Sequence, residues 1–228
     1  MTNSERFVEF KDAFFQPSLS QVKPSRQQCS LTQSLVYRPT IFRRNQLRWM
    51  SVYRWKAGCK ADGLAALKRA KTELDPKVID EAALSLAALI CELFGDQPAD
   101  GVTNVPCGHS RRTDCFGKRL AQAVAAHLQI KFVQIFADRP LAGVSHPKES
   151  AKVTPLRRIG TPPGFVFVVD DLATSGQHLE ESTLALRQLG VTASAMAWIS
   201  GVVQGETSYP SSALDPITVK PNEDVILY

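Results

Sequence analysis

Two adjacent acids close an apolar run in FVFVVDDLATSGQHLEESTLALRQLG, residues 165–190, and a Thr-Ser-Gly turn follows at once. Asp170 and Asp171 are carboxylates suited to sugar hydroxyls or to a hydrated divalent metal. Gly176 permits a backbone tight enough for successive N–H groups to converge on one anion, and the helix expected next has free amides at its start, which favour phosphate. The segment 174–178 is therefore a candidate anion cradle beside a candidate hydroxyl or metal site. A phosphorylated sugar presents both groups together. Taken singly, a pair of acids before a helix can be an N-cap with a solvated charge, and Thr-Ser-Gly can be a turn with no ligand.

The elements that must position these residues follow from the pattern along the chain. Asp75 and Pro76 supply an N-cap and a first-turn proline, after which Ile79, Ala83, Leu86, Ile90 and Leu93 recur at helical spacing until Gly95. A shorter helix is expected from about Asp62 to Lys71. Beyond Gly95 strands and helices alternate: GVTNVP, FGKRLAQAVAAHL, IKFVQIFA, FVFVV, LEESTLALRQLG and TASAMAWIS. This alternation predicts an α/β fold, a parallel sheet with helices on both faces. In such sheets ligands bind outside the carboxyl ends of the strands, where Asp170 and Asp171 fall.

Composition and charge divide the chain. Residues 1–72 carry 14 Lys/Arg and 4 Asp/Glu, and the remainder carries 13 and 18, so a basic arm precedes an acidic body. The first 45 residues show no sustained period and read as irregular or partly extended, and LRWMSVYRWK, residues 47–56, is ambiguous. The organisation expected is a basic N-terminal arm or hood over 1–60, an α/β core over 61–203 and a tail over 204–228. Five cysteines form no C-x-x-C pair, and KVIDEAALSLAALICELFG is interrupted by Asp80, Glu81 and Glu92. These features predict a reduced, cytoplasmic protein without a structural zinc or a membrane span.

The run VVDDLATSGQHLEES resembles the phosphoribosyl-pyrophosphate motif of type I phosphoribosyltransferases: apolar strand, two acids, two small or apolar residues, Thr, Ser or Thr, Gly, any residue, Thr. His178 stands where that family usually has its final Thr. NVPCGHSRRTDCFGKRLAQAVAAHL and RPLAGVSHPKES are similar to the ComF-like subgroup of competence-associated proteins, with Asp114-Cys115 in place of Arg-Gly and Gly117-Lys118 in place of Asn-Gln after the basic loop. The cysteine-rich N-terminal zinc module of that subgroup is missing.

The resemblance implies a phosphoribosyltransferase-like fold and, if the chain is catalytic, displacement of pyrophosphate from ribose C1 by a nitrogen nucleophile. Asp170 and Asp171 would face the ribose hydroxyls and reach Mg²⁺ through water, while Ala173, Thr174, Ser175, Gly176 and Gln177, with His178, would hold the 5-phosphate. The loop from Cys107 to Arg112 would face the pyrophosphate, with Gly108 allowing close approach and Arg111 and Arg112 neutralising charge. Arg139, Lys148, Lys152, Arg157 and Arg158 lie in a segment, 138–164, similar to the family's mobile loop. The ligand implied is phosphoribosyl pyrophosphate or a ribonucleotide.

Two further readings stay open at this level. In one, the fold is a non-catalytic ligand sensor or a nucleic-acid-associated protein of the competence or DNA-uptake type, with Trp49, Tyr53 and Trp55 stacking bases between Arg48, Arg54 and Lys56. In the other, the basic arm and acidic body pair between two copies as a homodimer. Against base stacking, the same aromatics can pack the arm onto the body as a hood. Cys107 and His109 have no further ligands at metal or nucleophile spacing.

Overall fold

The computed structural model describes residues 29–95, 99–107, 114–138 and 156–203. Five strands form one sheet in the order β1-β2-β5-β4-β3: β1 (Leu35–Arg44), β2 (Leu47–Lys56), β3 (Gly101–Asn104), β4 (Phe165–Ala173) and β5 (Thr192–Val203). β1 and β2 are antiparallel, whereas β2, β5, β4 and β3 run parallel to their neighbours. The helices are α1 (Lys60–Glu73), α2 (Pro76–Phe94), α3 (Phe116–His127) and α4 (Gln177–Gln188).

Alternation along β4 divides the core into two layers, because successive strand residues face opposite sides of the sheet. Phe167 and Val169 pack with buried residues of α1, α2 and α3, including Leu67, Leu86 and Leu120. Val166 and Val168 pack on the other face with Leu179 and Leu186 of α4. The expected α/β sheet covered on both sides is what the chain forms.

α2 begins as its sequence dictates. The Asp75 side chain accepts from the Lys77 amide at 2.9 Å, Pro76 occupies the first turn, and Ile79, Ala83, Leu86 and Ile90 are buried. Leu93, expected on the same face, is exposed at the helix end. α1 stops where Leu74 takes φ 54° and the Asp75 amide donates to the Ala70 carbonyl, which closes one helix and caps the next within two residues.

Several expectations are corrected. Residues 35–56, read as irregular and ambiguous, form a hairpin whose second strand pairs in parallel with β5. The boundary expected after residue 60 falls at the first residue of α1, and the hairpin before it shares one sheet with the strands after it. Hairpin and core are so close that a Cβ on Gly63 of α1 would stand 2.5 Å from the Trp55 ring. IKFVQIFA does not form a regular strand. Phe132 and Phe136 make isolated bridges to Val102 and Arg158, so this segment skirts β3 without extending the sheet.

FVFVV is only part of its strand, since β4 continues through the acids to Ala173, with Asp170 opposite Ala197 and Leu172 opposite Ile199. Cys29 and Cys59, expected reduced, form a disulfide that ties the chain ahead of β1 to the start of α1, their Cα atoms 5.8 Å apart. Among the described residues no helix is long and apolar enough to cross a membrane. The tail expected over 204–228 lies outside the described residues.

Candidate functional site

β3 ends at Asn104, opposite Val169, and the Val105 amide makes one more bond to the Val169 carbonyl before the chain departs. Among the described residues β4 has no neighbour on that side from Asp170 onward. The acid pair therefore stands at the carboxyl edge of the sheet, beside the strand exit at 105–107. This is the crevice position in which open α/β sheets bind ligands.

The strand's own geometry separates the two acids. Residues 167, 169 and 171 share one face and 166, 168 and 170 the other. Asp171 thus faces the α1 layer, where its carboxylate meets the Lys71 ammonium at 2.6 Å. Its side chain is 8% exposed, whereas that of Lys71 is 43% exposed, so the lysine reaches a sunken acid while its stem stays in contact with solvent. Asp170 accepts the Asp171 amide hydrogen bond at 2.9 Å. Burial, followed by the neighbouring Asp171 charge, pushes the Asp170 carboxyl up to about 7, with Lys71 and His178 opposing the shift. The Lys71 ammonium is raised above its usual range: burial works against it, and the Asp171 and Asp170 charges more than offset that.

The turn after β4 is shaped by packing as well as by backbone. Ala173 is buried and its carbonyl accepts the Ser200 hydroxyl at 2.6 Å, which pins the strand end to β5. Thr174 and Ser175 are exposed. Gly176 has φ +71°, the left-handed region, and a Cβ there would lie 2.6 Å from two ring atoms of Trp49. The glycine thus seats the turn on the Trp49 ring, where the sequence suggested only room for an anion.

α4 then starts without a side-chain cap, and Ser175 Oγ accepts the Gln177 amide at 3.4 Å. Gln177 donates to Glu181 at 3.0 Å, and His178 Nδ1 stands 3.5 Å from the same carboxylate. Across the turn, Arg44 Nε and Asn45 Nδ2 donate to the two oxygens of Glu180 at 2.7 and 2.8 Å. The β1–β2 turn is thereby clamped to the first turn of α4.

Of the expected pyrophosphate loop only its start is described. The Cys107 amide donates to Asp138 Oδ1 at 3.2 Å, and the Cys107 side chain lies near enough to Lys71 and Asp138 to influence both electrostatically. Cys107 thus belongs to the same crevice as the acid pair. Its hydrogen bond with Cys115, followed by burial, pushes the Cys115 thiol well above its usual range, which suppresses a thiolate nucleophile there. Gly108, His109, Arg111 and Arg112 lie outside the described residues, as do Arg139, Lys148 and Lys152. Arg157 and Arg158 are exposed, the first accepting the Ala137 amide hydrogen bond through its carbonyl.

The acid pair does not fit a divalent cation. The Lys71 ammonium already stands on one Asp171 oxygen and a backbone amide on one Asp170 oxygen, so a cation there would meet a resident positive charge. Among the described residues no cluster of three or more His, Cys, Asp or Glu could hold a metal. Nor do Trp49 and Trp55 offer a base-stacking surface: they are 4% and 2% exposed, and Tyr53 between them is half-buried.

Lys71, Trp49 and Glu180 were not among the residues singled out for this site. Lys71 had a usable signal, since it lies four residues after the buried Leu67 and so extends α1's apolar stripe with a cation. Trp49 and Glu180 had none, because their partners are 127 and 136 residues away in sequence.

No protein-family model matches the sequence, and no curated protein matches it. Among solved structures, the chain is similar to orotate phosphoribosyltransferase from Aeropyrum pernix, with 19% identity and a TM-score of 0.35 over 73% of this chain and 76% of that one. It is similar to adenine phosphoribosyltransferase from Saccharomyces cerevisiae, with 20% identity and a TM-score of 0.40 over 76% and 86%. A third similar structure is adenine phosphoribosyltransferase from Thermoanaerobacter pseudethanolicus, with 15% identity and a TM-score of 0.39 over 75% and 97%.

Proposed function

We propose that this chain binds a 5-phosphorylated ribose, as phosphoribosyl pyrophosphate or a ribonucleoside monophosphate, at the carboxyl edge of β4. One observation carries the reading: two acids at the open end of a parallel strand are followed within five residues by a left-handed glycine turn into an uncapped helix N-terminus. The acids offer oxygens to ribose hydroxyls, and the amides at the start of α4 offer donors to the 5-phosphate. Thr174 and Ser175, exposed at the turn, add hydroxyls beside those amides. The motif VVDDLATSGQ joins the two halves in the order that a ribose 5-phosphate presents them.

The reaction that suits this ligand is phosphoribosyl transfer. A nitrogen nucleophile forms a bond to ribose C1 as the C1–oxygen bond breaks, and the electron pair leaves on pyrophosphate. Positive charge develops on the sugar and negative charge on the leaving group, so the protein's work is positional and electrostatic. Asp170 and Asp171 hold the ribose hydroxyls, and the loop that starts at Cys107 supplies Arg111 and Arg112 to the pyrophosphate.

A second reading, a ligand-binding protein without catalysis, is favoured by the Lys71–Asp171 pair, since one acid of the motif is already committed within the protein. Calorimetric titration with phosphoribosyl pyrophosphate in Mg²⁺, coupled to pyrophosphate release in the presence of nucleobases, separates the two. Heat with release supports the transferase, and heat alone supports the binder. No heat from phosphoribosyl pyrophosphate or from nucleoside monophosphates in the folded chain defeats both. The double variant Asp170→Asn/Asp171→Asn should weaken binding at least tenfold, and undiminished binding would place the ligand elsewhere.

A further inference from the structure

A carboxylate pair at the end of a strand must be compensated by a cation or by a proton before a ligand can bind next to it. In this chain the compensation is built in. Lys71 projects from the last turn of α1, a helix outside the β4–α4 motif, and places its ammonium 2.6 Å from Asp171 at the crevice beside Cys107. α1 is held there firmly. Its start is tied by Cys29–Cys59, Leu67 and Ala70 are buried in the core, and Gly63 is seated against Trp55 and Ser34. The lysine side chain keeps 43% exposure, its stem toward solvent and its ammonium drawn into the crevice against Asp171.

We infer that Lys71 takes the place of a divalent cation at this site, so that the chain binds a 5-phosphorylated ribose without metal. This deepens the proposed function and rests on its placement of the ribose at the acid pair. An ammonium has three donors, and Asp171 takes one. The other two are available to ribose hydroxyl oxygens, whose own hydrogens go to the remaining oxygens of Asp170 and Asp171. Every polar group of the sugar's hydroxyl edge is thereby satisfied by fixed protein atoms. A hydrated cation brought to the same place would have to displace the ammonium from Asp171, which is unfavourable for an acid whose side chain is only 8% exposed.

The test is titration of the full chain with ribose 5-phosphate, once in EDTA and once in millimolar Mg²⁺. The expected result is binding in both, with affinities within about twofold. Lys71→Met should lose at least tenfold in EDTA and recover part of the loss in Mg²⁺, and Lys71→Arg should keep EDTA binding within a few-fold. Because Lys71→Met leaves Asp171 unpaired, Lys71→Met/Asp171→Asn provides a charge-balanced variant. It should bind weakly in EDTA, and Mg²⁺ should not restore it. Wild-type binding that requires Mg²⁺, or EDTA binding unchanged in folded Lys71→Met, would overturn the inference while leaving the sugar-phosphate site in place. Silence with ribose 5-phosphate in both conditions, in chain shown to be folded by circular dichroism, overturns the site and the inference together.

Discussion

At the scale of single residues, Asp170 is a group whose chemistry depends strongly on its surroundings. Its carboxyl is pushed up to about 7, first by burial and then by Asp171, against an ordinary value near 4. A carboxyl raised in the folded state contributes stability that is full below the unfolded value and is lost as pH rises toward the folded one. The chain should therefore lose stability between about pH 4 and pH 7 through this residue. Asp170→Asn keeps an oxygen for the Asp171 amide and removes the titration, so it should be more stable than wild type at pH 7.5, by a few kcal/mol at most. The difference should shrink toward zero near pH 4, read as urea midpoints across that range. A constant difference at all pH values would show that Asp170 does not titrate there.

At the scale of elements, the turn from β4 into α4 is held by parts of the hairpin as much as by its own sequence. Trp49 of β2 fills the space beside Gly176, and Arg44 and Asn45 of the β1–β2 turn grip Glu180. Gly176→Ala meets two penalties, left-handed strain of about 1–2 kcal/mol and overpacking against the Trp49 ring of about 1–3 kcal/mol. The expected loss is about 2–5 kcal/mol in chemical denaturation, accompanied by a shift in tryptophan fluorescence. Loss of ligand binding in this variant then reports a displaced turn, so the acid pair gives the cleaner probe of the site. The Arg44–Glu180 pair is partly exposed, and Glu180→Gln should change stability by no more than about 1 kcal/mol.

At the scale of the whole molecule, the basic N-terminal region is part of the core from residue 35 onward. Leu47, Trp49, Val52 and Trp55 are all buried, and burying large apolar side chains contributes about 1.5–3 kcal/mol each. Their sum matches the entire margin of about 5–15 kcal/mol by which a domain stays folded. Deleting residues 1–56 should therefore abolish the cooperative unfolding transition. A detachable hood would leave that transition intact and change only ligand affinity.

Much was legible in the sequence because it depends on short-range pattern. Asp75-Pro76 and the helical recurrence after it located α2, and VVDDLATSGQ located the strand, the acids and the turn, since capping, alternation and left-handed glycine act over a few residues. The hairpin was not legible. β1 and β2 alternate poorly in burial because β2 is covered on both faces and joins β5 in parallel, a pairing across some 145 residues that local period does not encode. IKFVQIFA shows the converse, strand-like by composition yet meeting the edge of the four-residue β3 only through an isolated bridge at Val102. The site divides in the same way. Two carboxylates, a glycine and a helix start are local, so the sequence by itself determined them. The divergence of Asp170 and Asp171 to opposite faces is local too, since it follows from the strand period. Tertiary structure alone decided that Lys71 answers Asp171 and that Trp49 lies under Gly176, because each depends on which distant element packs against β4.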